Sequence, residues 1–166
     1  LVECDVFMLL TANYDTIFIT HDAGGTWNSS ITDVPWGSYP KKIYFKDALN
    51  GWIMNGYYDS LIYHTIDGGI NWTADSLPSP MGGYANNGIS FVDSLTGFLT
   101  GSYSLMKTTD GGLTWTVVGN VSGGDIAFRD SLNGILVSSN ELIFQTTNGG
   151  ISWATVYQTP LFLSVN

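Results

Sequence analysis

Positive charge is scarce in this sequence. Five Lys and Arg residues stand against 14 Asp and Glu residues, so the 166-residue chain has a formal net charge of -9 at pH 7. Proteins that bind nucleic acids neutralise backbone phosphates with clustered Lys and Arg side chains. Because the sequence has no basic stripe of this kind, we expect no nucleic-acid partner.

Cysteine and long apolar runs are also scarce. Cys4 is the single cysteine, which excludes an internal disulfide. No apolar run approaches the roughly 20 residues that a membrane-spanning helix needs, so we expect no membrane span. The sequence neither begins with Met nor carries a signal-peptide pattern, which indicates a processed product or a piece of a longer chain.

Gly, aromatic and turn-forming residues are abundant instead. The chain contains 20 Gly, 14% aromatic residues and only 11% charged residues. This composition is poor in helix formers and rich in strand and turn formers. Low charge combined with many aromatic residues favours an exported bacterial protein, either secreted or at the cell surface. A cytoplasmic origin stays open.

One pattern, Thr-x-Asp-x-Gly-x-(Thr/Asn/Ser)-Trp, occurs four times, with 45, 43 and 38 residues between successive Trp residues. Strand-forming residues lie on both sides of it. The pattern therefore predicts a hairpin in which the Asp accepts backbone N–H bonds, a Gly takes a positive φ, and the Trp starts the returning strand. In the fourth copy Asn replaces the Asp. The residues assigned to these turns are Asp22, Gly24, Trp27, Asp67, Gly69, Trp72, Asp110, Gly112, Trp115, Asn148, Gly150 and Trp153.

A second pattern, Ile-x-Phe-x-Asp-(Ala/Ser)-Leu-x-Gly, occurs at 43–51, 89–97 and 126–134. It predicts a strand, a turn bracketed by Asp and Gly, and a new strand that begins at the Gly. Together the two patterns give four short strands per repeat. The predicted strands are about 42–46, 51–57, 61–66 and 71–76; 88–92, 97–102, 104–109 and 114–119; and 125–129, 134–138, 141–147 and 152–157.

Four short strands in about 40–45 residues match one blade of a β-propeller. We therefore predict an all-β fold, a β-propeller of four-stranded antiparallel blades, with about four blades that form a complete ring or part of a larger one. A stacked β-solenoid is the alternative, and the hairpins argue against it. Strands that are apolar on both faces predict that both sides of each blade are buried. The predicted blades are about 1–38 with its first strand missing, 41–77, 87–119 and 124–158, followed by an extra inner strand at 161–166.

The hairpin pattern resembles the Asp-box, or BNR repeat, of sialidases, sortilin-type receptors, xyloglucan hydrolases and photosystem II assembly factors of the Ycf48 type. The pairing of a Phe-x-Asp-x-x-x-Gly motif with each Asp-box is most similar to Ycf48-like repeats. The resemblance implies a propeller. It does not imply sialidase activity, because sialidases use three arginines and this chain has only Arg129. The photosystem role is associated with an arginine patch, which this sequence lacks, and is not carried over.

The aspartates of the two patterns suggest either metal ligands or turn caps. They recur once per blade, so in a propeller they lie far apart instead of converging on one ion. We therefore expect turn caps at Asp22, Asp67 and Asp110, and likewise at Asp47, Asp93 and Asp130. No metal site and no cofactor are expected.

Turns in an up-and-down blade alternate between its two ends, so the turns between second and third strands lie opposite the Asp-boxes. In the enzymes that the chain resembles, the active site is at that end. Exposed aromatic and carboxylate side chains on loops favour binding, although ordinary hairpin residues would look the same. The candidate ligand residues are Tyr14, Asp15, Trp36, Tyr39, Tyr57, Tyr58, Asp59, Tyr84, Tyr103 and Glu141.

These features predict a non-catalytic binding or scaffolding module for a protein or glycan ligand. One alternative is a glycoside hydrolase fragment that uses a carboxylate pair from Asp15, Asp59 and Glu141, and another is a self-associating spacer. Residues 161–165 are expected to pair with the strand at 5–11 and complete the first blade. The partner strand lies in the same chain or in a second copy.

Overall fold

The computed structural model describes residues 7–10, 16–20, 22, 24–31, 40–55, 61–78, 88–101, 103–120, 123–138 and 140–158. All the regular structure in these ranges is β-strand. In the same ranges there is no helix of the length and apolarity needed to cross a membrane. The chain divides into two compact units, Leu1–Asn87 and Gly88–Asn166.

The first unit contains two antiparallel sheets, whose strands follow one another in chain order. Blade 1 has three described strands and blade 2 has four. Ile17 and Ile19 of blade 1 share a buried cluster with Ile53 and Tyr63 of blade 2. The strands are β1 (Phe7–Leu10), β2 (Thr16–Thr20) and β3 (Asn28–Ile31) in blade 1, and β4 (Pro40–Phe45), β5 (Gly51–Asn55), β6 (Leu61–Thr65) and β7 (Thr73–Ser76) in blade 2.

The second unit contains two four-stranded sheets of the same topology. Its core joins Phe98 and Leu105 of blade 3 to Ile126 and Leu136 of blade 4. The first strands of the two blades lie side by side. The strands are β8 (Gly88–Phe91), β9 (Gly97–Thr100), β10 (Leu105–Thr108) and β11 (Thr116–Gly119) in blade 3, and β12 (Ile126–Phe128), β13 (Gly134–Val137), β14 (Leu142–Thr146) and β15 (Ala154–Gln158) in blade 4.

The all-β class and the antiparallel blades of a β-propeller are confirmed. The strands after the Asp-boxes differ from the prediction, because β7, β11 and β15 begin two residues later than expected. The prediction that the Trp starts the returning strand is therefore wrong. In blade 3 the backbone N–H of Thr114 donates to Asp110 Oδ1 (2.9 Å), so this amide belongs to the turn and not to the strand ladder.

A Phe and a Gly face each other where the first two strands of blades 2, 3 and 4 meet. In blade 3, Phe91 pairs with Gly97, and a Cβ at Gly97 would lie only 2.8 Å from the Phe91 ring. The Asp-box Trp lies against the same ring. The centroids of the Phe91 and Trp115 rings are 6.1 Å apart, and the angle between the ring planes is 73°. The sequence motif thus places a ring over a residue that has no side chain, and the Asp-box Trp packs against that ring.

The prediction that both faces of every blade are buried holds for β9, whose four residues are all buried. It is wrong for β13, where Ile135 and Val137 are exposed and Leu136 between them is buried. In blade 4 one sheet face therefore packs against blade 3, whereas the other is open to solvent. The prediction of burial on both faces is also wrong for Trp27 of blade 1, which is 42% exposed.

Residues 159–166 and 1–6 lie outside the described residues. The pairing of 161–165 with 5–11 therefore stays a prediction, as do the proposed blade limits that fall in these segments.

Candidate functional site

The Asp-box turn is organised by one carboxylate. In blade 3 the Thr108 hydroxyl donates to Asp110 Oδ1 (2.7 Å) and the Thr114 hydroxyl donates to Asp110 Oδ2 (2.5 Å). The Thr114 backbone N–H also donates to Oδ1. Gly112 has a φ of 95°, a left-handed conformation that suits a residue without a Cβ. The predicted turn-capping role of the aspartate is what the geometry shows.

The same turn also has a buried threonine hydroxyl at its centre, which the sequence analysis did not predict. The Thr108 side-chain oxygen accepts the Gly112 backbone N–H (2.9 Å) and the Asp110 N–H (3.3 Å). This threonine is buried, as are Thr20, Thr65 and Thr146 at the same position in the other turns. The signal was present, because a Thr stands two residues before the Asp or Asn in all four copies.

The turn between the first two strands is capped in a similar way. Asp93 Oδ1 accepts the backbone N–H groups of Leu95 (2.8 Å) and Thr96 (2.6 Å). The two turns of the blade are also joined, because the Gly111 N–H donates to the Leu95 carbonyl (2.8 Å). Matching bonds join Gly68 to Leu49 and Gly149 to Leu132. Both kinds of turn therefore lie at the same end of blades 2, 3 and 4.

Hydrogen bonding lowers the pKa of these carboxyl groups, so they are ionised at neutral pH and have no proton to donate. The bonds from Thr26 and Thr20 lower the pKa of Asp22 to about 2, and those from Thr114 and Thr108 lower the pKa of Asp110 to about 2. The Asn133 side chain and the amides beside it hold the pKa of Asp130 well below its usual range. A glycosidase acid needs a raised pKa, so these aspartates serve as charged acceptors in turns.

No group of three or more His, Cys, Asp or Glu side chains within the described ranges is placed to hold a metal ion. Asp22, Asp67 and Asp110 each bond to their own turn.

Of the predicted ligand residues, the structure describes Tyr103 and Glu141, and both are exposed. They lie in the turns between the second and third strands of blades 3 and 4. The candidates that lie outside the described residues are Tyr14, Asp15, Trp36, Tyr39, Tyr57, Tyr58, Asp59 and Tyr84.

Glu141 has an unusual backbone for its residue type. Its φ is 62°, and no other non-Gly residue in the described part of the chain has a positive φ. The turn is closed by bonds from the Ser138 N–H to the Leu142 carbonyl (2.8 Å) and from the Glu141 N–H to the Ser138 carbonyl (3.1 Å). A left-handed conformation costs a residue with a Cβ roughly 1–2 kcal/mol. Gly or Asn would fit this position at lower cost.

Blades 3 and 4 are also joined near this end. Thr100, the last residue of β9, donates its hydroxyl to the Gly124 carbonyl (2.6 Å) in the segment before β12. The Val137 N–H donates to the Asp125 carbonyl (2.9 Å). The first bond links β9 of blade 3 to the segment before β12, and the second links that segment to β13 of blade 4.

No family model matches this sequence. The photosystem II assembly lipoprotein Ycf48 of Synechococcus sp. (strain CC9902) is 30% identical over 125 residues, which are 74% of this chain and 37% of that protein. The chain thus spans well under half the length of this relative.

Two solved structures have the same fold. The structure of YCF48 bound to D1 peptide superposes with a TM-score of 0.63 at 23% identity, covering 74% of this chain and 40% of that one. The family 74 xyloglucanase from Xanthomonas campestris gives a TM-score of 0.68 at 12% identity, covering 92% of this chain and 28% of that one. The chain is therefore a β-propeller segment whose repeats resemble those of Ycf48 and of the family 74 enzymes.

Proposed function

We propose that this chain is a non-catalytic propeller module that binds an extended peptide segment of a partner protein at the end opposite the Asp-boxes. The observation that carries the proposal is Glu141, a carboxylate held in a strained left-handed backbone beside the blade that presents Tyr103. Strain of this kind clusters at functional sites. Exposed tyrosines on rigid turns are typical anchors in protein interfaces.

The negative net charge of the chain supports a partner whose contact surface is neutral or basic. The chain has a net charge of -9, so an acidic ligand would be repelled over a Debye length. The YCF48 structure bound to D1 peptide supports a peptide ligand by analogy of fold. A role in photosystem assembly is not part of the proposal. The low charge and the many aromatic residues of the chain support an exported bacterial location.

Selection of binders from a random peptide-display library, with the whole chain as bait, tests the proposal. We expect selected peptides enriched in Lys or Arg next to apolar residues. Tyr103→Ala and Glu141→Gln should each weaken binding by about tenfold or more, the effect of losing an interface anchor.

Leu113→Ala is the matched control. Leu113 is 61% exposed and Tyr103 is 59% exposed, but Leu113 lies in the Asp-box turn of the same blade. Binding lost equally in both variants, or in neither, would contradict the proposed surface.

Glycan binding and hydrolysis are the competing outcomes. A glycan array that gives Tyr103-dependent binding while peptide selection fails would replace the peptide with a sugar ligand. Turnover of xyloglucan, sialosides or aryl glycosides that Glu141→Gln abolishes would show an enzyme and overturn the non-catalytic assignment.

A further inference from the structure

Several turns of this chain contain Asn followed by Gly, a dipeptide that readily loses its side-chain amide. Asn is a thermolabile residue, and Gly has no Cβ to hinder attack of its backbone nitrogen on the Asn side chain. The structure describes three such pairs in full, Asn50–Gly51, Asn133–Gly134 and Asn148–Gly149. The three dipeptides are identical, so any difference in their reactivity comes from the fold around them.

Hydrogen-bond donors surround the side-chain carbonyl of Asn148. The Thr146 hydroxyl and the Ser152 backbone N–H both donate to Asn148 Oδ1, each at 3.0 Å. Attack on the amide carbon places negative charge on this oxygen, and donors already aimed at such a charge lower the barrier. The nitrogen that must leave, Asn148 Nδ2, donates to a neutral acceptor, the Ser152 hydroxyl (2.9 Å).

The side chain of Asn133 has the opposite environment. Its Nδ2 donates to both carboxylate oxygens of Asp130, at 2.8 and 3.1 Å. Negative charge that develops on the Asn133 amide is repelled by this carboxylate, and loss of ammonia would leave two carboxylates side by side. Asn50 is bound to both oxygens of Asp47 in the same way, at 2.9 and 3.0 Å.

The attacking nitrogens also differ in their freedom to move. Gly134 is buried in β13, where a Cβ would lie 2.8 Å from the Phe128 ring. Gly149 is half-buried in a turn with a φ of 67°, and its N–H donates to the Leu132 carbonyl (2.9 Å). Local opening of a surface turn costs less free energy than opening of a central strand. The Asn148 site is therefore the most accessible to ring closure.

A carboxylate at position 148 would fit its surroundings. In blade 3 the corresponding carboxylate, Asp110, accepts bonds from the Thr108 hydroxyl and from the hydroxyl and N–H of Thr114. The Ser152 hydroxyl can rotate to donate as the Thr114 hydroxyl does, because a hydroxyl is both donor and acceptor. The reaction product is thus the residue that blades 1, 2 and 3 already have in this turn.

We propose that Asn148 is a site of spontaneous deamidation, through which the fourth Asp-box acquires the carboxylate of the other three. The Gly149 nitrogen bonds to Asn148 Cγ and gives its proton to water, and the Cγ–Nδ2 bond breaks as ammonia leaves. Water then adds to Cγ of the cyclic imide. The bond from Cγ to the Gly149 nitrogen breaks, and this nitrogen regains a proton. The net reaction consumes one water molecule and releases one ammonia molecule.

Incubation of the whole folded chain in mildly alkaline buffer, followed by peptide mapping with mass spectrometry, tests the proposal. We expect Asn148 to convert at least about tenfold faster than Asn133 or Asn50. The same chain in urea is the matched control, because the three identical dipeptides should convert at similar rates once the fold is lost. Equal rates in the folded chain, or conversion at Asn148 only in urea, would overturn the proposal.

Two variants test the consequence for the fold. Asn148→Asp should melt at or above the temperature of the wild type, whereas Asn133→Asp should melt below it, because its new carboxylate faces Asp130. The incubated wild type should gain one negative charge per converted chain on ion exchange and keep its melting temperature. If Asn148→Asp melts as low as Asn133→Asp, the turn does not accept the product and the proposal fails.

Discussion

At the scale of single residues, the Asp-box turn divides its hydrogen bonds between an exposed carboxylate and a buried hydroxyl. The bonds that Asp110 accepts from Thr114 lie at the surface, whereas the bond from Gly112 to Thr108 is buried. Loss of a partner costs most where the remaining group is cut off from water. The threonine should therefore matter more for stability than the aspartate that gives the motif its name.

Two substitutions compare these residues. Thr108→Val keeps the shape but leaves the buried Gly112 N–H without its acceptor, so we expect a loss of about 1–3 kcal/mol in the free energy of unfolding. Asp110→Ala should cost about 1 kcal/mol, because water can replace its bonds. Urea denaturation measures both. Thr109→Val, at an exposed neighbouring position, is the control, and an equal effect there would contradict this ranking.

The same carboxylates predict a loss of stability in acid. The pKa of Asp110 is lowered from 3.8 to about 2 in the folded chain, so its contribution is complete above about pH 4. That contribution is lost as the pH falls towards 2 and the folded carboxylate takes up its proton. The urea midpoint should therefore decline between about pH 4 and pH 2. Asp110→Asn should show a shallower decline, and a decline as steep as that of the wild type would contradict this assignment.

Glu141 predicts a separation of stability from binding. Asn tolerates a left-handed backbone better than Glu, so Glu141→Asn should stabilise the fold by up to about 1 kcal/mol. The same change should weaken the peptide binding proposed above. Thermal melts and binding assays of one preparation measure both effects. If Glu141→Asn lowers the melting temperature, the strain assigned to this residue is not real.

At the scale of elements, the first hairpin of blades 2, 3 and 4 depends on the contact between its Phe and its Gly. Phe91 occupies the space that a Cβ at Gly97 would need. Gly97→Ala should therefore force the ring to move and destabilise the fold by about 1–3 kcal/mol, the usual cost of overpacking. Gly119→Ala is the matched control in the same blade, because its Cβ would meet Leu105 at an ordinary 3.7 Å. Similar melting temperatures for the two variants would show that the ring yields freely.

Local chemistry explains which elements the sequence predicts well. The side-chain hydrogen bonds within the turns at Asp22, Asp67, Asp110 and Asn148 join residues at most four apart, so their pattern is readable directly. The contact between Phe91 and Gly97 crosses a hairpin, and its only trace is a constant spacing of six residues in three repeats. β11 starts later than predicted because the Thr114 amide donates to the Asp110 side chain instead of to a neighbouring strand. The periodicity of the sequence does not reveal this hydrogen bond.

The candidate site was harder to predict than the fold. Tyr103 and Glu141 are both predicted from their place in turns between second and third strands, the first as an aromatic and the second as a carboxylate side chain. The left-handed backbone of Glu141 is not readable from the sequence, because Gly and Asn are the residues that usually mark such a position. Burial patterns in blade 4 were also out of reach, since Ile135 and Phe98 are both apolar and only packing separates them.

At the scale of the whole molecule, unbalanced charge acts on stability. A net charge of -9 destabilises a compact chain by self-repulsion. Raising NaCl from about 0.01 to about 0.15 M shortens the Debye length from roughly 30 to roughly 8 Å, so the melting temperature should rise. Choline chloride at equal ionic strength should act alike, which distinguishes screening from a specific sodium site. A melting temperature that falls with salt would mean that attractive ion pairs dominate.

The hydrogen bond between the two turns of a blade has a consequence for how such a chain could evolve. Because the Gly111 N–H donates to the Leu95 carbonyl, with matching bonds in blades 2 and 4, the two turns at one end of these blades are joined by the blade's own residues. A gene segment that encodes one blade can then be duplicated or lost without redesign of that end in its neighbours. The sequence can then vary at the opposite end of the blades, where Tyr103 and Glu141 lie. Copy number and ligand choice can thus change independently during evolution.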